Sequence, residues 1–177
     1  MNISAVERVI EHILKWEGGF TDNPIDAGGP TNMGVTMLTL SKWLGREASS
    51  QEIMDLDRPT AIAIYDQFYI EDMPYRGVAD EWSFMYLVDM GVLHSPQSLA
   101  KIVQKACDGC VKVDGIFGPA TLAAVDTLSR QPPHSVGERT WRDSLRRERC
   151  LHYARRVCQE PSQATFLEGW VRRAFDL

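Results

Sequence analysis

The sequence lacks the features that would assign it to a membrane, secreted or nucleic-acid-binding class. No apolar run approaches the roughly 20 residues that a membrane-spanning helix needs, and the segment Met1–Arg8 lacks the basic and then apolar pattern of a secretory signal. Basic residues are not in excess: 19 Lys and Arg stand against 24 Asp and Glu, a net charge of −5. This balance argues against a nucleic-acid partner and against stable membrane insertion. We expect a protein made in a cytoplasm that reaches any external target by another route.

Signatures of metal and nucleophile chemistry are also scarce. The four histidines show no HxxxH spacing, and no GxSxG motif is present. Cys107 and Cys110 form a CxxC, but Cys150 and Cys158 lie too far apart to form the second close pair of a zinc site. We therefore predict no metal and no cofactor, with reduced thiols as the default for a chain without a signal peptide.

The patterns that are present predict a mainly α fold with a small β-hairpin or irregular loop after the first helix. Ser4 and Glu7 have the spacing of a capping box, Val6, Ile10 and Ile13 recur at helical spacing, and Gly18-Gly19 ends that helix. The segment 20–36 is too rich in glycine and proline for a helix. The arginine-rich segment Arg139–Arg173 is best interpreted as a solvated helix face.

Glu17 carries the chemical hypothesis. Continuing the apolar stripe places its carboxyl on the buried side of the last turn, where a carboxyl keeps its proton more readily, as a general acid must. Asp22 and Asp26, in the polar loop that follows, would stay ionised, and two carboxyls in contrasting environments are typical of glycoside hydrolases. Two simpler interpretations stay open: Glu17 could bond the glycine amides, and the aspartates could form Asx-turns.

The same stretch resembles the signature of a known family. Residues 17–20 (EGGF) and 22–36 (DNPIDAGGPTNMGVT) are similar to glycoside hydrolase family 108, which comprises phage endolysins and related bacterial proteins that act as N-acetylmuramidases. The resemblance continues at Ile64-Tyr65 and at Gly91, which it places in a turn. Residues 114–121 (DGIFGPAT) look like the family's C-terminal peptidoglycan-binding region, and residues 166–173 (FLEGWVRR) resemble its closing motif.

The resemblance implies a lysozyme-like fold that cleaves the bond between N-acetylmuramic acid and N-acetylglucosamine. Glu17 matches the proposed catalytic glutamate, and Asp26 and Thr31 fall where a second carboxylate and a water-positioning threonine are expected. The expected substrate-binding residues are Asp22, Asn32, Thr36, Tyr65 and Tyr69. The chain departs from the family pattern in the order Asp22-Asn23 and in Met85 and Asp89, which stand where members often carry Asp and Asn.

The resemblance also implies an organisation and a setting. Residues 1–95 would form the catalytic region, and residues 96–177 a helical peptidoglycan-binding region packed on it as one compact unit. The expected partner is peptidoglycan, and the expected state is a monomer that is made in a host cytoplasm and released to act on the cell wall in the periplasm. Two alternatives stay open: a lytic transglycosylase that cuts the same bond, and a non-catalytic peptidoglycan-binding protein.

Overall fold

The computed structural model describes residues 4–21, 30–131 and 140–177. Their fold is mainly α with a small antiparallel sheet after the first helix, as the sequence predicts. The α-helices of the described residues are α1 (Ala5–Glu17), α2 (Met37–Leu44), α3 (Ser50–Met54), α4 (Arg58–Asp66), α5 (Glu81–Leu93), α6 (Pro96–Ala106), α7 (Pro119–Ser129), α8 (Trp141–Gln159) and α9 (Leu167–Ala174), and the strands are β1 (Thr31–Asn32) and β2 (Val35–Thr36). In the described part of the chain, no helix is both long enough and apolar enough to cross a membrane.

Helix α1 begins and ends where the sequence predicts. The Ser4 hydroxyl accepts the Glu7 backbone N–H at 3.1 Å, and the Glu7 carboxylate accepts the Ser4 N–H at 2.8 Å, which completes the capping box. Gly18 ends the helix at φ +71°, a conformation that favours glycine. The buried stripe consists of Val9, Ile10, Ile13 and Leu14 and contacts α4, so burial of an amphipathic face holds α1 in place.

The strands form a tight hairpin within the compact unit Met1–Met73. Thr31 pairs with Thr36 and Asn32 with Val35, so the turn consists of Met33 and Gly34. Both turn residues have positive φ, 49° and 75°, which matches the right-handed twist of a two-residue hairpin. The turn therefore uses glycine where the backbone requires it.

The segment from Ala61 to Met73 does not form one continuous α-helix. Helix α4 ends at Asp66, and the chain widens into a π-helix at Gln67–Glu71. A π-helix adds a residue to the turn, and such insertions occur often at functional sites. Here Ile70 stays buried while the Tyr69 hydroxyl bonds to Thr39.

A second compact unit comprises Pro74–Leu177, and its core surrounds α5. Phe84, Leu87, Val88 and Met90 of this helix are buried, so apolar side chains cover most of its circumference. Asp89 is also fully buried, and it accepts hydrogen bonds from Arg149 of α8 and Arg173 of α9, each at 2.8 Å. The charged groups of three helices therefore meet in this core.

The DGIFGPAT segment forms a loop that a buried glutamine holds. The side-chain amide of Gln104 in α6 donates to the Asp114 carboxylate at 2.8 Å and to the Ile116 carbonyl at 3.0 Å, and its oxygen accepts the Gly115 N–H at 2.9 Å. Pro119 then occupies the first turn of α7. The motif is thus accounted for by the architecture of the loop that joins α6 to α7.

The compact units divide between Met73 and Pro74, because α5 packs with the helices that follow it. The predicted division into a catalytic region at residues 1–95 and a binding region at residues 96–177 stays a prediction. One sequence-based expectation differs from the structure. Gly91 lies inside α5 and not in a turn, and a side chain there would collide with the Tyr75 hydroxyl.

Candidate active site

Glu17 is the last residue of α1, and its side chain is half-buried. The buried Ile13 and Leu14 precede it in the final turn, so the carboxyl lies at the edge of the apolar stripe. Gly18 and Gly19 follow at once and are exposed, and a methyl group added to either would meet no atom within 4 Å. The helix therefore presents Glu17 between a packed interior and an open surface.

The tip of the β-hairpin lies directly on the Glu17 side chain. A Cβ atom on Gly34 would lie 2.6 Å from Glu17 Cγ and 2.8 Å from Glu17 Cβ, and it would also collide with the Tyr65 hydroxyl. Such distances are far below ordinary carbon contacts, so only glycine allows this approach. The hairpin backbone thus forms a wall that limits where the Glu17 carboxyl can point.

Tyr65 of α4 anchors that hairpin. Its side chain is only 1% exposed, and its hydroxyl donates to the Met33 carbonyl at 2.9 Å. The Tyr65 ring also contacts the Tyr69 ring, with centroids 5.4 Å apart at 40°. In this structure the Tyr65 ring is buried and its hydroxyl holds the turn beside Glu17, and its contact with substrate stays a prediction.

A line of hydroxyl groups extends from the base of the hairpin towards Glu17. The Thr36 hydroxyl caps α2 by accepting the Thr39 N–H at 3.2 Å, and the two threonine hydroxyls lie 3.0 Å apart. Tyr69 bonds to the Thr39 side chain in turn. Burial raises the pKa of the Tyr69 phenol, the bond to Thr39 lowers it, and the nearby Glu17 carboxylate raises it further. The phenol thus keeps its proton beside Glu17 and can act as a hydrogen-bond donor there.

Thr31 and Asn32 have different environments. Thr31 is half-buried, and its backbone N–H and carbonyl each bond to Thr21 at 2.8 Å, so the residues on either side of segment 22–29 are paired. Asn32 is buried, and its amide donates to the carbonyls of Ile53 and Met54, both at 3.1 Å. The Asn32 amide thus joins β1 to α3, and its contact with substrate stays a prediction.

The remaining predicted site residues divide into those that the structure describes and those that it does not. Asp22 and Asp26 lie outside the described residues. Thr36 and Tyr69 are half-buried and belong to the hydroxyl line, so their contact with substrate stays a prediction. Within residues 4–21, 30–131 and 140–177, no three His, Cys, Asp or Glu side chains are grouped as a metal site would require.

Sequence reasoning missed two residues of this cluster. Gly34 was part of the motif but was given no role, although the Met33-Gly34 pair between two short extended segments is a hairpin signature. Thr39 carries no signal in the sequence, because its link to Tyr69 depends on the register of the π-helix. The first could have been found from turn chemistry, and the second only from the fold.

Comparison with known proteins agrees with the resemblance drawn from the motifs. The family model described as Glycosyl hydrolase 108 matches residues 10–94, and the model described as Predicted Peptidoglycan domain matches residues 98–175. Among solved structures, that of Brucella abortus SagA is similar, with 30% identity, a TM-score of 0.71, and coverage of 96% of this chain and 88% of that chain. No curated protein matches the chain. The chain therefore belongs to the glycosyl hydrolase 108 family, as a glycoside hydrolase of the peptidoglycan-degrading kind with a C-terminal peptidoglycan domain.

Proposed function

We propose that the protein is an N-acetylmuramidase that hydrolyses the bond between N-acetylmuramic acid and N-acetylglucosamine, with Glu17 as the general acid. The observation that carries the proposal is the position of Glu17 at the end of α1, under the tip of the β1–β2 hairpin. We also propose that the protein is an endolysin of a phage or prophage, made in a host cytoplasm, and that it acts on the cell wall after release.

The surroundings of Glu17 suit a proton donor. Contact with Gly34 restricts the rotamers of the side chain, so the carboxyl is held in a narrow range of directions before substrate binds. In retaining and inverting glycosidases alike, a carboxylic acid protonates the leaving oxygen. A second carboxylate attacks the opposite face of the sugar ring or activates a water molecule there.

The second catalytic group is proposed to be Asp26, either directly or through a water that Asp26 and Thr31 hold. Thr31 belongs to β1, and its partner in the ladder is Thr36, so a hydroxyl group of this strand is part of the same hairpin that covers Glu17. A carboxyl separation of about 5–5.5 Å would indicate retention of configuration, and about 6.5–9.5 Å would indicate inversion.

The products of wall digestion test this proposal. Purified sacculi would be digested with the wild-type protein and with Glu17→Gln, and the soluble fragments would be identified by mass spectrometry. We expect fragments with a reducing N-acetylmuramic acid end from the wild type and almost none from the variant. Anhydromuramyl ends throughout would instead identify a lytic transglycosylase.

A third outcome would support a binding protein. If the wild type binds sacculi but releases no fragments, the proposed hydrolysis is wrong and the peptidoglycan domain alone accounts for the interaction. Release of reducing N-acetylglucosamine ends would contradict the choice of bond, although not the glycoside hydrolase activity of the family.

A further inference from the structure

The second compact unit carries an aromatic platform outside the candidate active site. It consists of Phe166, at the end of the 3₁₀ turn Pro161–Phe166, and Trp170 of α9. Their ring centroids lie 5.8 Å apart with the planes at 29°, and the Phe166 side chain is 53% exposed. Trp170 is half-buried and rests on the buried Tyr153 ring, with centroids 5.2 Å apart. Phe166 is thus the exposed ring of the pair, and Trp170 links it to the buried Tyr153.

A cation lies beside this platform. The guanidinium of Arg156, in α8, is 5.1 Å from the centre of the Trp170 ring, and its side chain is exposed. Among the described residues, no carboxylate lies within salt-bridge distance of Arg156, whereas its neighbour Arg155 is 4.0 Å from Glu148. Arg156 therefore remains available to pair with a carboxylate of a ligand.

A second stack of rings and arginines in the same unit is less open. The Trp82 ring lies under Arg142 at 4.8 Å and under Arg146 at 5.2 Å. Arg146 also donates to the Leu177 carbonyl, so its guanidinium takes part in an internal contact. The Trp82 ring thus carries two arginines, whereas the Trp170 ring carries one and has the exposed Phe166 ring beside it.

Gly169 is an exposed glycine of α9 with open space around it. A Cβ atom on Gly169 would meet no atom within 4 Å, although Gly169 lies in α9 between the two platform residues. A side chain can therefore be added at Gly169 without a clash. A helical glycine costs roughly 1 kcal/mol relative to alanine.

The net charge of the second unit favours a ligand that carries carboxylates. Residues 1–73 carry five Lys and Arg against twelve Asp and Glu, a net charge of −7, whereas residues 74–177 carry fourteen against twelve, a net charge of +2. The excess is concentrated at the C-terminal end, where residues 141–177 contain eight arginines and five acidic residues. Peptidoglycan combines sugar rings, which have apolar faces, with peptide stems that end in carboxylates. The platform and Arg156 complement these two features.

We propose that Phe166 and Trp170 stack against a sugar ring of the peptidoglycan strand while Arg156 pairs with a carboxylate of its peptide stem. This inference rests on the proposed function, that the protein acts on peptidoglycan. It places wall binding on α8 and α9, inside the region 98–175 that matches the peptidoglycan model.

Cosedimentation with purified sacculi tests the proposal. The full chain would carry Glu17→Gln to stop digestion, and this parent would be compared with Phe166→Ala and Arg156→Gln. We expect each change to raise the dissociation constant about fivefold, the size typical of one aromatic or cation–π contact. The matched controls are Phe175→Ala, another exposed ring, and Arg155→Gln, the neighbouring arginine that pairs with Glu148. They should bind within about twofold of the parent.

Gly169 provides a variant that removes no contact. Gly169→Glu adds a negative charge beside the platform, which should repel the carboxylate of the peptide stem and weaken binding. Gly169→Ala should bind as the parent does and should unfold at a slightly higher temperature. Equal losses in the platform variants and their controls would overturn the proposal, as would unchanged binding in Phe166→Ala and Arg156→Gln. If those variants bind normally while the wild type digests walls, this inference fails and the proposed function stands. If the wild type neither binds nor digests walls, the proposed function itself fails.

Discussion

The contact between Gly34 and Glu17 is the most specific single feature of the candidate site. The backbone of the hairpin turn lies against the methylene groups of the glutamate, and the Tyr65 hydroxyl fixes that turn through the Met33 carbonyl. A side chain that packs this closely has few rotamers left. The position of the carboxyl is therefore set before any ligand arrives, which is how a catalytic group gains from preorganisation.

Gly34→Ala should damage activity far more than stability alone explains. Alanine at φ +75° is strained by about 1–2 kcal/mol, and its methyl group would also push the Glu17 side chain aside. Gly45→Ala is the matched control, because Gly45 has φ +67° but no atom within 4 Å of the added methyl. We expect kcat/KM on sacculi to fall about 100-fold in Gly34→Ala and to be nearly unchanged in Gly45→Ala.

Thermal unfolding of both variants separates strain from displacement. In both variants the free energy of unfolding should fall by the cost of alanine at positive φ. In Gly34→Ala it should fall by a further 1–3 kcal/mol, roughly the cost of overpacking. Equal activity of Gly34→Ala and Gly45→Ala would show that the hairpin does not position Glu17.

Single residues differ in how far the sequence reveals their roles. The location of Glu17 could be predicted, because the capping box and the apolar spacing define both the start and the face of α1. The roles of Asn32 and Tyr65 could not, because their hydrogen-bond partners lie 21 to 32 residues away along the chain. A polar residue in a motif looks the same in the sequence whether it contacts a ligand or a distant backbone carbonyl.

Helices α5, α8 and α9 are joined by one buried carboxylate. Asp89 bonds to Arg149 and Arg173, and all three side chains are almost completely buried. Burial alone would lower the pKa of Arg149, but Asp89 beside it raises that pKa well above its ordinary value. The three charges are compatible with burial only together, since each guanidinium would be very costly to bury alone.

Asp89→Asn should therefore destabilise the second unit strongly. The substitution keeps the shape of the side chain but removes the carboxylate that two buried guanidinium groups share, at a cost of about 3–5 kcal/mol. The control is Glu11→Gln, which removes the exposed partner of Arg58 and should cost less than about 1 kcal/mol. Urea unfolding curves give both values, and a loss below about 1 kcal/mol in Asp89→Asn would contradict the structural role.

Helix ends were easier to predict than the course of helices. Ser4 and Gly18 end α1 where the sequence predicts, because capping is local chemistry. Ser49, Ser95 and Gly45 cap other helices in the same local way. The π-helix after α4 was not predicted, since a widened turn leaves the spacing of apolar residues almost unchanged. The compact units divide after residue 73 because α5 contacts elements that follow it in the chain, and such contacts leave no local pattern in the sequence.

The stability of the whole protein should depend on pH through His94. Burial, together with Arg149, lowers the pKa of His94 to about 3, and its Nδ1 bonds to the Met90 carbonyl at 2.8 Å. His152 and Asp89 also act on this ring, the first lowering and the second raising its pKa. Since the unfolded chain has a pKa near 6.5, it binds more protons than the folded chain between pH 6.5 and pH 3.

It follows that the contribution of His94 is complete above about pH 6.5 and is lost progressively as the pH falls towards 3. Between pH 7 and pH 5 we expect a loss of about 2 kcal/mol in the free energy of unfolding from this residue. His94→Asn keeps a donor for the Met90 carbonyl but does not titrate. Between pH 7 and pH 5, its free energy of unfolding should therefore fall by about 2 kcal/mol less than that of the wild type. Equal losses in the two proteins, measured by urea unfolding at both pH values, would contradict this assignment.

The two compact units carry net charges of opposite sign, −7 and +2. The acidic unit contains Glu17 and the hairpin, and the basic unit contains the aromatic platform and its arginines. The proposed binding of peptidoglycan carboxylates to exposed arginines of the second unit should weaken as the salt concentration rises. The sequence indicates the division of charge, but only the structure shows which arginines are buried with Asp89 and which remain exposed.

The rate of wall hydrolysis by Glu17→Gln is the most direct test of the role assigned to Glu17. Glutamine has the same shape but no acidic proton, so kcat should fall by about 10²–10⁴ while binding to sacculi is retained. Glu11→Gln, at an exposed position of the same helix, should keep the wild-type rate. A Glu17→Gln protein that remains folded and clears sacculi at the wild-type rate would show that Glu17 is not the acid.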